Sequence, residues 1–399
     1  MKKLLLLCLV CAGLLGAAPL WAGEAPGPQV VLRGRLLTDL GYHGLSREQT
    51  TNKKEDVTSA FSNFSAASYL RTDFTSIDKT AGGRVELGLL SKQNNAESVI
   101  LRYAYGWWRH GNLRLVAGQD DGWVGSLKNA PKQYLGMAEG NKMLLTNWGF
   151  LYSARAPQVR LEWMRQGLGA ALGLVTPLAE ASPAESSGLT TGSQAFTKGA
   201  DIYANLPRAD LAVQFNRGGL WISPGVGWAQ YRLEGASSGG DDGITSWVGV
   251  LPVKYAYGPF TFKAQFHMGQ NNDYEWNGQL INGLRSLPRS LAYIQKDGKI
   301  EDTHQVGGFL ALEYRLTQAL EITGGTGLAR LSNDAWKHDA GYKNDQYTRR
   351  AYFVALPYSV TKNFAIHPEF SYYDYGERVS DGQDAGGEWL LGLQVRFVF

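Results

Sequence analysis

The sequence predicts an all-β fold: a transmembrane antiparallel β-barrel of sixteen strands, with short turns at one rim and long loops at the other. Three observations lead there. The amino terminus carries an export segment, and no later apolar run reaches the length of a spanning helix. Stretches of about ten residues then alternate apolar with polar side chains. The links between those stretches alternate between short and long.

The export segment comes first. Lys2 and Lys3 precede an apolar run from Leu4 to Gly16, and Ala17 to Ala22 is rich in small residues, the layout of a secretory signal peptide. Cleavage is expected after Ala22, because a cut after Ala18 would place Pro19 first. Residues 1–22 are then signal, and residues 23–399 form a single barrel domain. Cys8 and Cys11 are the two cysteines of the chain, and both leave with the signal. The mature chain therefore has no disulfide, thiolate metal site or cysteine nucleophile. Lys2 and Lys3 also account for most of the formal charge: the net +3 of the full chain falls to +1. That balance gives no argument for a nucleic-acid partner. Charged residues make up 19% of the chain, below the ~25% of ordinary soluble domains.

Period two is clearest at the carboxyl end. Trp389, Leu391, Leu393, Val395, Phe397 and Phe399 share one face, and Leu390, Gly392, Gln394, Arg396 and Val398 the other. Upstream, Val30, Leu32, Gly34, Leu36, Thr38 and Leu40 oppose Val31, Arg33, Arg35, Leu37 and Asp39. The same reading sets Val99, Leu101, Tyr103, Tyr105 and Trp107 against Arg102, Ala104 and Gly106. In water such sheets would bury their apolar face on a second layer, and no helical pattern supplies one. Lipid is the simpler partner. Tyr42, Trp107, Tyr314, Tyr372 and Trp389, near strand ends, suit interfacial girdles.

Strands are expected near 29–42, 66–76, 83–92, 97–107, 112–119, 157–165, 168–176, 209–216, 219–233, 245–256, 260–270, 303–316, 319–331, 348–358, 363–376 and 387–399. Residues 147–155 and 199–206 are also strand-like, and including both gives eighteen. Closing the ring pairs every backbone group within lipid and removes the sheet edges. A ring of this circumference is too wide for side chains to fill, so an aqueous bore is expected, open to passive diffusion of small hydrophilic solutes and ions.

The carboxyl-terminal strand ending on Phe397 and Phe399 resembles the terminal strand of Gram-negative outer-membrane barrels, whose assembly machinery reads a final aromatic. Together with the signal peptide, strand count and loop plan, the chain resembles the general porins of those membranes. Arg155-Ala-Pro-Gln-Val-Arg-Leu-Glu-Trp163 is similar to a porin turn-and-strand segment that follows the third loop. The resemblance implies a homotrimer in the outer membrane, in contact with lipid and lipopolysaccharide. It also implies that a third loop, here residues 120–156, folds inward and narrows each pore.

Arg33, Arg35, Arg71, Arg84, Arg102, Arg114 and Arg160 fall on the polar rows of the first six strands, and would face one wall of the lumen. Asp120, Asp121 and Glu139 belong to the third loop. Porins commonly set a basic wall against acids on this loop, which implies a transverse field and mild anion preference. Neighbouring carboxylates such as Glu86 and Glu162 could instead pair with these arginines. A channel specific for phosphate, other anions or sugars is the alternative. The six histidines show no HExxH spacing, and no phosphate-loop or Ser/His catalytic set is visible, so neither cofactor nor enzyme activity is expected. Residues 118–122 and Asp241-Asp242 carry acids but complete no calcium loop. Tyr342 to Tyr347 and Tyr372 to Tyr375 are aromatic clusters for which an interfacial belt is the simplest reading.

Overall fold

In a computed structural model, the described residues are 27–49, 55–65, 67–91, 97–135, 145, 148–153, 155–177, 201–234, 243–276, 290–295 and 299–399. The expected signal segment, Glu139 and Asp241-Asp242 lie outside them.

Sixteen antiparallel strands close into one barrel. They are β1 (Gln29–Leu45), β2 (Val57–Phe64 continued by Tyr69–Thr75), β3 (Ala81–Ser91), β4 (Glu97–His110), β5 (Leu113–Asp120), β6 (Ala156–Arg165), β7 (Leu168–Val175) and β8 (Asp201–Tyr203 and Arg208–Arg217). The ring continues with β9 (Leu220–Ile222 and Gly225–Glu234), β10 (Gly243–Tyr257), β11 (Phe260–Gln270), β12 (His304–Arg315), β13 (Glu321–Ser332), β14 (Gln346–Ala355 and Tyr358–Ser359), β15 (Phe364–Asp374) and β16 (Gly387–Val398). Each strand pairs with its sequence neighbours, and β16 returns to β1 from Arg35↔Val398 to Leu45↔Glu388. Two further bonds between Gly34 and Phe399 finish that seam, at 2.8 and 3.1 Å.

Strand interruptions follow local chemistry. Pro224 and Pro357 cannot donate to a ladder, and they sit where β9 and β14 break. In β2, residues 65, 67 and 68 leave the ladder, and the Ser68 hydroxyl accepts from Leu37 N at 3.0 Å instead. The short rim is built from tight turns. Gly218 and Gly219 take φ of +61° and +84°, the left-handed pair that a two-residue hairpin turn requires.

The alternation has the expected consequence on the outside: Leu32, Leu172, Leu310, Leu391, Phe397 and Phe399 are all exposed although apolar. A monomer with such a belt in water would aggregate; in lipid it is satisfied.

Several details depart from the sequence reading. The strand number is sixteen, and the eighteen-strand alternative does not hold. Residues 148–153 form no ladder strand; they lie inside the barrel, where Phe150, Leu151 and Tyr152 are buried. Asp201–Tyr203 is the outer end of β8 rather than a separate strand. The outer half of β2, Val57–Phe64, was not foreseen and shortens the first long link.

The register of β4 is the largest correction. Glu86 faces Tyr103 but Leu87 faces Leu101, so Arg102 is an extra, bulged residue. One inserted residue reverses the faces beyond it. Tyr103 and Tyr105 therefore line a lumen cavity, and Trp107 stacks on lumen arginines, while Trp108 takes the outer position and is 52% exposed. Likewise Tyr347, Tyr373 and Tyr375 are buried inside rather than placed in an outer belt.

The segment between β5 and β6 turns into the barrel and crosses it. Asn129 Nδ2 donates to Ala264 O at 2.6 Å, Tyr134 N to Glu369 at 2.6 Å, and Gln394 Nε2 to Tyr134 O at 3.0 Å. Lys132 is paired with Glu321 at 2.6 Å and Glu313 at 3.1 Å. Its returning arm buries Trp148 against Tyr373 and Tyr375, with ring centres 5.1 and 5.0 Å apart. Gly149 and Gly327 permit that contact: a Cβ on Gly149 would fall 2.1 Å from Gly308 O, and one on Gly327 2.1 Å from Trp148 O. Loop backbone thus lies directly on sheet backbone.

Candidate functional site: a charged lumen divided by the inward segment

The wall from β1 to β6 carries most of the arginines. Directly opposed registers place Arg33 against Arg71, Asp73 against Arg84, and Arg71 against Glu86. Asp73 is thereby shared by three guanidiniums: Arg33 at 3.0 Å, Arg71 at 3.0 Å and Arg84 at 2.7 Å. Glu86 pairs with Arg102 at 2.8 Å. Among the described residues, Asp73 and Glu86 are the carboxylates that ion pairs join to Arg33, Arg71, Arg84 and Arg102.

A second group sits beside it on β5 and β6. Arg160 bridges Asp120 at 2.6 Å and Glu162 at 2.8 Å, and Glu162 also holds Arg114 at 3.2 Å. Aromatic faces complete the wall. Arg84 lies 5.8 Å from the Tyr103 ring and 5.9 Å from that of Tyr105, and Arg114 lies 5.2 Å from Trp107. Stacking of this kind fixes a guanidinium without neutralising it.

Asp120 and Asp121 were expected to face the arginines from the loop across an aperture. They do not. Asp120 ends β5, Asp121 follows it, and both sit on the basic wall itself, next to Arg160 and Arg155. The reason is positional: the segment turns inward only after the strand end, so its first residues remain part of the wall. Asp121 accepts from the Tyr103 hydroxyl at 2.6 Å. Burial pushes its carboxyl above the usual carboxylate range, against the opposing pull of Arg155. Burial pushes the Lys128 ammonium down, opposed by Glu162.

Among the described residues, two cavities lie beside the crossing segment. The larger, about 740 Å³, lies against β3–β6 and is lined by Arg84, Arg114, Arg160, Asp120, Asp121, Glu162, Tyr103 and Tyr105, with Trp123 and Lys128 from the segment. Arg109, unremarked in the sequence, lines it too. The smaller, about 310 Å³, lies at the seam and is lined by Arg35, Lys132, Arg396, His367 and Gln394 among others. Leu127 borders both. Of the residues singled out in the sequence, Arg33, Arg71, Arg84 and Arg102 come together around Asp73 and Glu86. Arg160 meets Asp120, and Arg114 and Arg160 share Glu162, while Arg35 joins Arg71 and Arg102 at the Tyr69 ring and lines the seam cavity. Asp73 and Arg396 were overlooked, although the first hairpin's length sets Asp73 opposite Arg84.

Further round the ring, from β8 to β10, a buried ion-pair cluster occupies part of the interior. Arg208, wholly buried, pairs with Asp210 at 2.9 Å and Glu275 at 3.0 Å, and Tyr231 donates to the same Glu275. Among the described residues no cluster of histidine, cysteine and acidic side chains has the geometry to hold a metal ion.

No family model and no curated protein matches the chain by sequence. Solved structures do resemble it. The outer-membrane channel DcaP of Acinetobacter baumannii superposes with a TM-score of 0.69 at 18% identity, covering 95% of this chain and 99% of that one. The chain has the porin fold. An anion-selective porin from Comamonas acidovorans gives 0.58 at 12% identity, over 93% of this chain and 100% of that one. The trimer form of OmpT, an outer-membrane protein of Vibrio cholerae, gives 0.57 at 11% identity, over 94% and 100%. Within this porin fold, the identities are low enough that the lumen chemistry must be argued from this chain's own residues.

Proposed function

We propose that this protein is an outer-membrane channel through which small hydrophilic solutes and ions diffuse passively, with a mild preference for anions. The observation that carries the reading is a closed ring, apolar outside, whose inner cavities are lined by more cations than carboxylates. The larger cavity has Arg84, Arg109, Arg114, Lys128 and Arg160 against Asp120, Asp121 and Glu162. The smaller has Arg35, Lys132 and Arg396 and, among the described residues, no carboxylate in its lining. Excess fixed charge of one sign in a narrow, low-dielectric bore concentrates ions of the other sign. The similar structures support it, since they include an outer-membrane channel and an anion-selective porin.

A homotrimer is the assembly that fits best, as one similar structure is a trimer form. Export by a signal peptide cleaved after Ala22, recognition of Phe399 by the barrel assembly machinery, and contact with lipid and lipopolysaccharide complete the reading. Arg33, Arg35, Arg71, Arg84, Arg102, Arg114 and Arg160 are its basic lining, and the segment between β5 and β6 is its constriction.

Reversal potentials across planar bilayers holding the purified protein test the reading. A potassium chloride gradient is expected to give a potential of the sign set by chloride permeation. A clear cation preference rejects the anion preference, and the absence of conductance steps rejects the channel.

A further inference from the structure

Most lumen guanidiniums described above share a carboxylate. Two at the seam do not. Arg35 on β1 and Arg396 on β16 both line the smaller cavity. Arg396 lies directly opposite Leu37, which places Arg35 at the diagonal position on the same inward face. Diagonal neighbours on a sheet lie within reach of long side chains, about 7–8 Å apart.

Among the described residues, Arg35 is fixed without an ion pair of its own: the carboxylate that acts on it, Glu86, is bound to Arg102. Arg35 Nε and Nη2 donate to Ala67 O at 3.2 and 2.8 Å, and its fork lies 4.8 Å from the Tyr69 ring. Arg396 Nε is buried without a hydrogen-bond partner. Lys132, the third cation, is committed to Glu313 and Glu321. Asp39 and Glu369 stand further along the same wall, but neither lines the cavity. Two like charges beside an apolar floor of Leu37, Leu127 and Phe150 are an electrostatic liability unless an anion sits between them.

We propose that the seam cavity is a saturable binding site for a small oxyanion of charge two or more, of the phosphate or sulfate kind, held between Arg35 and Arg396. A guanidinium fork matches two oxygens of such an ion, and one dianion balances both arginines, which a single chloride does not. About 310 Å³ has room for the anion and several waters. The site rests on the channel reading only for how the ion reaches it.

Isothermal titration of the folded, detergent-solubilised protein with sodium phosphate, and with sodium chloride at matched ionic strength, tests this. One saturable phosphate site per chain is expected. Arg396→Gln should bind about tenfold more weakly or worse, as expected for loss of charged hydrogen bonds. Arg396→Lys should fall between, and Arg217→Gln, at an exposed rim position, should match the unaltered protein. Arg35→Gln supplies the same comparison where Arg396→Gln loses the heat-modifiable gel mobility of a folded barrel. Phosphate heats like those of chloride, or unaltered affinity in the folded arginine variants, overturn the site. Loss of the site with anion-selective conductance intact leaves the channel reading standing, whereas binding without conductance removes the channel reading and keeps the site.

Discussion

The wall from β1 to β6 and the wall from β11 to β15 have the same period and the same pleat, yet different interiors. On the first, inward residues are arginines, acids and tyrosines that face open space. On the second, Phe309, Phe353 and Tyr373 stand among buried Lys263, Glu313, Arg349 and Glu369, and the rings are covered by the returning arm of the inward segment, with Trp148 and Phe150 at its centre. Bare charge is tolerable only beside water, and bare aromatic surface only beneath a cover. The returning arm therefore lies over the rings of β12, β14 and β15, and polar bonds from Lys132 to Glu313 and from Tyr134 to Glu369 hold the segment on the same side.

Four substitutions sharpen this comparison. Trp148→Ala removes a buried tryptophan of the returning arm, a loss of about 3–5 kcal/mol of packing. The segment should release from that wall, raising single-channel conductance and current noise while the barrel keeps its heat-modifiable mobility. Unchanged conductance would mean that the segment is held elsewhere. On the open wall, Arg160 is buried between two carboxylates, whereas Arg33 has a half-exposed side chain. Arg160→Ala should cost about 3–5 kcal/mol and lower anion preference in reversal potentials. Arg33→Ala should cost about 0–1 kcal/mol; equal effects in thermal melts would erase the distinction. The smallest effect concerns acidity. Asp121 holds its proton more readily than an ordinary aspartate, so its negative charge is lost at comparatively mild acidity as pH falls. Anion preference should then rise with acidification, and Asp121→Asn should flatten the early part of that rise.

The barrel was largely legible in the sequence because two signals agree. Alternation marks strands, and link length marks which rim each link belongs to. The register inside β4 was not legible, for a physical reason. Leu101, Tyr103, Tyr105 and Trp107 read as one apolar row, while Trp107-Trp108 offers an aromatic to either face. Composition is therefore blind to a single inserted residue at Arg102. The lumen arginines were legible as a set, but their partners depend on cross-strand register, which placed Asp73 among three of them. The seam arginines needed closure itself, since Arg35 and Arg396 lie at opposite ends of the chain.

That closure also dictates timing. Because β1 finds its second neighbour only in β16, a nascent chain released before residue 387 would present two raw margins to the bilayer, with nothing in hydrocarbon to quiet their amides. Insertion of this protein must therefore finish after synthesis, with the whole polypeptide already in hand.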